Sequence, residues 1–238
     1  RSRHFKDMQL PDIRERAFRF YEKYGDVYIP LVSGKKNVLE LGSGSGGFLQ
    51  FLKLHNKEAG VTAIERCASN RDFLSRDFRD SRILEDMSLL KGKRDFDLVA
   101  AFDVFEHIKK GEEFLLRIKG LLKDGGVLAM NVPNKKNPLV DFYKVEEFRK
   151  FSYMKQHYYT YTEESMDILA ERAGFKVEGF NYMQVWGLDN HLSWLVNKRP
   201  MDFSRFTGLL SAPTLQSYDS DLIRKKMTDL VMVVMTRK

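Results

Sequence analysis

The stretch from Asn37 to Leu52, NVLELGSGSGGFLQFL, constrains this chain more than any other. Val38, Leu39 and Leu41 read as a buried strand, and Phe48, Leu49 and Leu52 recur at helical spacing. Between them, Gly42, Gly44, Gly46 and Gly47 make a turn too permissive for regular structure. A strand, a glycine turn and a helix N-terminus form a nucleotide-binding device, because the turn lets ligand and backbone approach closely. Gly42, Gly44 and Gly47 also satisfy the dinucleotide spacing G-x-G-x-x-G, so the turn alone does not name its ligand.

The flanking pattern sets the fold class. After strand one at 37–41 come a helix near 46–55, strand two at 61–65, a helix near 68–79, strand three at 82–85 and strand four at 96–102. A helix near 111–122 stopped by Asp124-Gly125-Gly126 and strand five at 127–132 follow. Strands alternating with helices at these lengths predict an α/β, Rossmann-like doubly wound parallel sheet, with ligand at the carboxyl ends of the strands and strand one at the switch in strand order. Beyond Pro133 the pattern loosens. Residues 134–158 are rich in Lys, Phe and Tyr and carry a short helix. Thr162 caps a helix that ends at Gly174, and strands are expected at 175–180 and 230–236.

Residues 1–30 read as a helical cover in which Ile13, Ala17, Phe18, Phe20, Tyr21 and Tyr24 form an apolar stripe ended by Gly25. Tyr21, Tyr24 or Tyr28 could also close over a ligand. The connection at 183–228, with Trp186, His191, Trp194 and Pro200, is long enough to be a substrate lid. The expectation is one domain over 1–238 with this helical insertion.

Four features separate the ligands the glycine turn could hold. Glu40, two residues ahead of Gly42, would repel a pyrophosphate but suits a cationic amino-acid moiety. Glu65 ends strand two about 20 residues past the glycines, where an acid can bond ribose hydroxyls. Asp86 ends strand three, placed to accept from an adenine amino group. Strand four runs through Phe102 into Asp103, Val104, Phe105, Glu106, His107 and Ile108.

These residues resemble a known family. Glu40-Leu41-Gly42-Ser43-Gly44-Ser45-Gly46, Glu65, Glu85-Asp86-Met87, FDVFEHI and Leu122-Lys123-Asp124-Gly125-Gly126 look like the successive motifs of class I S-adenosylmethionine-dependent methyltransferases. His157-Tyr-Tyr-Thr-Tyr-Thr162 and Ala173-Gly174-Phe175 are similar to the branch that methylates small molecules, quinones and sugars. The resemblance implies a seven-stranded sheet of order 3-2-1-4-5-7-6 with strand 7 antiparallel, and S-adenosyl-L-methionine as methyl donor. It implies that Glu40 and the Gly42, Ser43 and Gly44 segment hold the methionine moiety, Glu65 and Arg66 the ribose side, and Asp86 with Met87 the adenine. Phe102 and Asp103 would stand beside the sulfonium. Phe105 and Ile108 are read as core.

Methyl transfer from a sulfonium is an in-line displacement, so aligning donor with acceptor does most of the work. A hydroxyl acceptor also needs a base. His107, after strand four, and His157, before the capped helix, are the candidate catalytic histidines; His4 and His55 are poorly placed, and His191 is the least anchored. Ubiquinone-pathway O-methyltransferases carry a similar acid-x-x-Glu-His run linked to divalent metal, which points to Asp103, Glu106 and His107. No metal ligand set is assigned from the residues themselves.

The favoured activity is O-methylation of a small molecule or glycan. An N-methyltransferase for a small amine is the nearest alternative, followed by an NAD-dependent oxidoreductase and a non-catalytic binding module. Net charge +7 suits an anionic partner, although the Lys and Arg residues are scattered. Nucleic acid is disfavoured, since no D/N-P-P-Y motif follows strand four. Cys67 is the only cysteine, which excludes an intrachain disulfide and a cysteine-rich metal site. No apolar run approaches a membrane span, and no signal peptide is evident, so a soluble cytoplasmic chain is expected. The sequence opens on Arg1 rather than a methionine, as a chain cut from a longer one would.

Overall fold

The computed structural model describes residues 9–90, 94–153, 157–199 and 208–238. His4 and Pro200 lie outside the described residues, as does the rest of 201–207 in the expected insertion. Seven strands form one sheet of order β3-β2-β1-β4-β5-β7-β6. They are β1 (Asn37–Leu41), β2 (Gly60–Ile64), β3 (Arg82–Leu84), β4 (Phe96–Phe102), β5 (Leu122–Pro133), β6 (Phe175–Met183) and β7 (Leu230–Arg237). The first five pair in parallel, and β7 runs antiparallel to both β5 and β6. This is the predicted topology. β1 pairs with β2 on one side and β4 on the other, so the chain winds outward in both directions from it. That is the switch point at which such sheets open a crevice.

A parallel sheet must be covered on both faces, and successive residues of β1 serve opposite faces. Val38 packs with Phe48, Leu49 and Leu52 of α3 (Gly47–His55), with Tyr21 of α1 (Leu10–Lys23), with Tyr28 of α2 (Gly25–Val32) and with Tyr24 between those two helices. Leu39 and Leu41 pack on the other face with α5 (Gly111–Leu121) and α7 (Glu163–Ala173). Helix α4 (Ala68–Asp77) lies between β2 and β3 in the chain. A satellite core of Leu139, Val140, Val145, Phe148 and Trp194 joins α6 (Glu146–Ser152) to α8 (Leu188–Asn197). Helix α9 (Ala212–Arg224) precedes β7.

Two boundaries differ from expectation for physical reasons. Gly25 does not end the N-terminal helical region. It begins α2, because α1 stops at Tyr24, whose hydroxyl donates to the Gln184 carbonyl and accepts from the Gln184 amide, both at 2.8 Å. Strand five starts earlier than the glycine pair suggested, since Leu122 already pairs with Phe96 and the register slips before Leu98 meets Val127. Thr162 forms the expected N-cap as part of a capping box with Ser165, and Gly174 caps the same helix at φ 72°.

Helix α1 lies directly on the glycine turn. A Cβ on Gly47 would stand 2.4 Å from Ala17 Cβ and 3.0 Å from the Phe18 amide nitrogen. The fourth glycine of the turn therefore gives the N-terminal helix its seat.

Candidate active site

The turn after β1 is anchored first by backbone. The Gly42 and Ser43 amides donate to the Ile64 carbonyl at 2.8 and 3.2 Å. Gly42 has φ 72°, and a Cβ there would meet Val104 at 2.6 Å. Glu65 then grips the turn from β2: its Oε2 accepts from the Gly44 amide and its Oε1 from the Cys67 amide, each at 2.7 Å. The acid expected to face ribose is thus also the clamp of the glycine loop, and its remaining lone pairs are left for a ligand.

Beside this clamp opens a cavity of about 300 Å³. Of the predicted cofactor residues, Gly42, Glu65, Arg66, Asp86, Met87 and Asp103 line it, together with His107. Asp86 accepts from the Ser88 amide at 2.8 Å and from Arg66 at 3.3 Å. Those bonds hold its carboxyl below the usual range, with the Ser88 amide the main cause. Phe102 does not line the cavity. Its ring packs at 4.9 Å from Phe48 and 5.4 Å from Tyr28, inside the aromatic cluster under α1.

Glu40 is buried on the α1 face, and its Oε2 has no hydrogen-bond partner among the described residues. Burial pushes its carboxyl up to about 8; the neighbouring Ser43 hydroxyl works against that rise and the charge of Glu65 adds to it. A buried, unpartnered carboxyl oxygen at the mouth of a glycine turn is costly without a donor. A cationic group beside the turn would supply one.

Asp103 closes β4 with φ 55°, a left-handed conformation uncommon outside glycine. Its amide donates to the Asn131 carbonyl at 3.2 Å. The surrounding protein raises its carboxyl above the usual range, with His107 opposing, although solvent reaches the side chain through the cavities it lines. Asp103 also lines a second cavity, of about 230 Å³, with Ile13, Arg16, Ala17, Phe20, Tyr21, Val185, Trp186 and Leu230. The two cavities therefore meet at one carboxylate.

His107 and His157 come together, their ring centroids 4.8 Å apart. His107 lines the cavity beside the glycine turn; neither ring is among the residues lining the cavity under α1. Burial lowers the His157 pKa, helped by His107 and opposed by the Ser152 carbonyl. Among the described residues, Glu106, His107 and His157 form the one group whose donor atoms, within 4.8 Å of one another, could hold a metal ion. Glu106 Oε2 and His157 Nδ1 are both buried without a partner. One carboxylate oxygen and two imidazoles suit a divalent ion such as zinc or cobalt. Asp103, the first acid of the run that suggested a metal, stands outside this group.

The remaining candidates are structural. His191 is 1% exposed and pairs through Nδ1 with the Tyr218 hydroxyl at 2.7 Å, so it is firmly held rather than poorly anchored. Trp194 is core, and Tyr143, Tyr153 and Tyr158 of the aromatic 134–158 segment are exposed and line neither cavity. Of the three N-terminal tyrosines Tyr21 lines the cavity under α1; Tyr28 is fully buried. A cavity of about 740 Å³ between α5 and α7 touches none of the predicted site residues. Size is therefore a weaker guide here than the convergence of polar groups. Arg16 and Asp229 were missed by sequence reasoning. An arginine within the apolar stripe of α1 was the available signal for Arg16.

Comparison with known proteins agrees with this fold. The methyltransferase-domain family matches residues 8–179. A curated relative, (S)-coclaurine N-methyltransferase from Thalictrum flavum subsp. glaucum, is 28% identical over 106 residues, 42% of this chain and 29% of that protein. The match thus spans less than a third of the relative's length. Among solved structures, an S-adenosylmethionine-dependent methyltransferase from Archaeoglobus fulgidus superposes with TM-score 0.62 at 15% identity, covering 94% of each chain. An O-methyltransferase family protein from Burkholderia thailandensis gives 0.60 at 13% identity over 96% of this chain and 59% of that one.

Proposed function

The chain belongs to the methyltransferase-domain family, and we propose that it uses S-adenosyl-L-methionine to methylate a small molecule seated under α1, with an oxygen acceptor favoured. One observation carries the reading: the cavity beside the glycine turn and the cavity under α1 share Asp103. A donor held in the first and an acceptor held in the second would meet there.

Bound S-adenosylmethionine supplies an electrophilic methyl group on a sulfonium, which becomes a neutral thioether once the methyl–acceptor bond has formed. Glu40, with its unpartnered Oε2, would receive the cationic amino group, and the Gly42–Gly44 backbone its carboxylate end. Glu65 would take the ribose hydroxyls while still clamping Gly44, and Asp86 with Met87 would take the adenine. Asp103 is the base best placed for a hydroxyl acceptor, since it lines both cavities and its raised carboxyl is better matched to a proton than an ordinary aspartate. His107 is the alternative base from the donor side. A divalent ion on Glu106, His107 and His157 would pin the loop before α7 against the end of β4 and polarise nearby oxygens. The transfer needs no step through it. The 183–228 connection contributes Val185 and Trp186 to the wall of the cavity under α1, and it would help to keep water out.

An amine acceptor is the second reading, favoured by the coclaurine N-methyltransferase relative. It would need little base. Calorimetry with S-adenosylhomocysteine and with NAD, followed by methyl-group counting on phenol and amine panels by mass spectrometry, tests the proposal. Binding of NAD alone would overturn it. Transfer only to amines would overturn the oxygen acceptor while leaving the donor intact.

A further inference from the structure

The inward stripe of α1 is apolar except at one place. Ile13, Arg16, Ala17 and Phe20 recur at three- and four-residue intervals and all line the cavity under α1. The neighbouring arginines point elsewhere: Arg14 pairs with Asp77 and Arg19 with Glu15. Arg16 lies half-buried, its guanidinium carbon 4.8 Å from the centre of the Trp186 ring. Burial opposes its charge. A stacked guanidinium keeps its N–H edges in the plane of the fork, which suits two parallel bonds to a carboxylate.

The Trp186 wall is held by hydrogen bonds from within the chain. Asp229 Oδ2 accepts from the Val185 amide at 3.0 Å and from the Trp186 amide at 2.8 Å, and Gln184 Nε2 donates to the Trp186 carbonyl at 2.6 Å. Asp103 lines the same cavity, so the cavity carries a cation and an acid, with Ile13, Phe20, Tyr21, Val185 and Leu230 among its other walls. The volume of about 230 Å³ admits a single ring.

Resting on the acceptor-cavity reading above, we propose that the acceptor is a single-ring aromatic acid, its carboxylate on Arg16, its ring beside Trp186 and Tyr21, and its hydroxyl or amine toward Asp103. An anion at the Asp103 end would be repelled, so the cavity also sets the direction in which the ligand enters.

The test is calorimetry on the full chain saturated with S-adenosylhomocysteine, using 2-, 3- and 4-hydroxybenzoate, the aminobenzoates, and the matching neutral benzamides. At least one acid should bind 10-fold or more tightly than its amide. Arg16→Gln should erase that preference without changing S-adenosylhomocysteine affinity, and Arg16→Lys should retain part of it. Equal binding of acids and amides, or an acid preference that survives Arg16→Gln, overturns the proposal. Trp186→Ala separates the two levels: if acids and amides bind the wild type but neither is weakened by Trp186→Ala, the acceptor lies elsewhere and the cavity reading itself fails. If both are weakened yet charge makes no difference, only the acid assignment fails. Binding of no ring at all overturns both.

Discussion

Glu65 Oε2 accepts the Gly44 amide at 2.7 Å and so ties the end of β2 to the glycine turn at the end of β1. The same carboxylate takes the Cys67 amide with its other oxygen, at the entry to α4. One acid therefore orders the glycine loop and lines the cavity beside it. Glu65→Gln keeps the size but turns one acceptor into a donor facing an N–H. S-adenosylhomocysteine affinity should fall about 10- to 100-fold, because hydrogen bonds to a charged group contribute about 1.5–3 kcal/mol. Calorimetry checks this; an unchanged affinity would mean the clamp and the donor are independent.

Glu40 predicts a pH dependence with a definite sign. Its carboxyl stands at about 8 in the folded, unliganded protein, above its ordinary range. The folded state therefore binds this proton more tightly than the unfolded chain does. The contribution is fully present below the unfolded value and is lost as pH rises through about 8. Glu40→Gln should accordingly raise the melting temperature of the ligand-free protein at pH 8.5 and change it little at pH 5. Pairing with a cationic donor group needs the ionised form, so wild-type affinity for S-adenosylhomocysteine should rise from pH 6 to pH 9 with release of a proton. Calorimetry in buffers of different ionisation enthalpy measures that proton, and Glu40→Gln should abolish both its release and most of the affinity.

Much of this was legible in the sequence, and the reason is local. A strand, its turn and the following helix are contiguous, so Glu40 to Gly47, Glu65, Asp86 and Asp103 each announce themselves at the end of a predicted strand. The sheet order came through the family likeness of those same motifs. The cavity under α1 was not legible, because it is assembled across the chain: Arg16 from α1, Asp103 from the end of β4 and Trp186 from the loop after β6. Asp229 shows the difficulty well. Nothing in the sequence around it says that its carboxylate will cap the Val185 and Trp186 amides, 44 and 43 positions away. Phe102 shows the converse, a motif position whose ring is drawn into the aromatic cluster with Tyr28 and Phe48.

Gly47 tests whether the seat of α1 matters to the acceptor. Gly47→Ala places a methyl 2.4 Å from Ala17 Cβ, and backbone at Phe18 stands close behind it. Overpacking of this kind costs about 1–3 kcal/mol. The melting temperature should drop by several degrees, and the acceptor KM should rise more than the donor Kd, since α1 lines only the acceptor cavity. Ala17→Gly in the same protein should recover part of the stability. A double variant no better than Gly47→Ala alone would place the strain elsewhere.

Asp103 and the histidine pair make opposite predictions about the base. Asp103 lines both cavities, whereas His107 lines only the donor side and His157 neither. For a hydroxyl acceptor, Asp103→Asn should lower kcat by about 10²–10⁴-fold, the usual contribution of a general base. His157→Gln should change it only a few-fold near neutral pH. For an amine acceptor both variants should be mild. A large loss in His157→Gln with Asp103→Asn nearly intact would return the base to the histidine pair.

Asp229 separates positioning from chemistry. Its Oδ1 accepts from Asn137 Nδ2 at 2.7 Å and lies 3.8 Å from His191 Nε2, while Oδ2 holds the two amides of the Trp186 loop. It thereby joins the loop after β6, the segment after β5 and α8 at the start of β7, and it does so from outside both cavities. Asp229→Asn removes one acceptor from this node and leaves the Trp186 wall free to move. The acceptor KM should rise about 10-fold, the value expected for about 1.4 kcal/mol of lost preorganisation. S-adenosylhomocysteine affinity should stay within two-fold. Steady-state kinetics with whichever acceptor the panel returns, together with donor calorimetry, decides the point: parallel losses in both would show that Asp229 merely holds the fold, because a loosened Trp186 wall acts on the acceptor side alone.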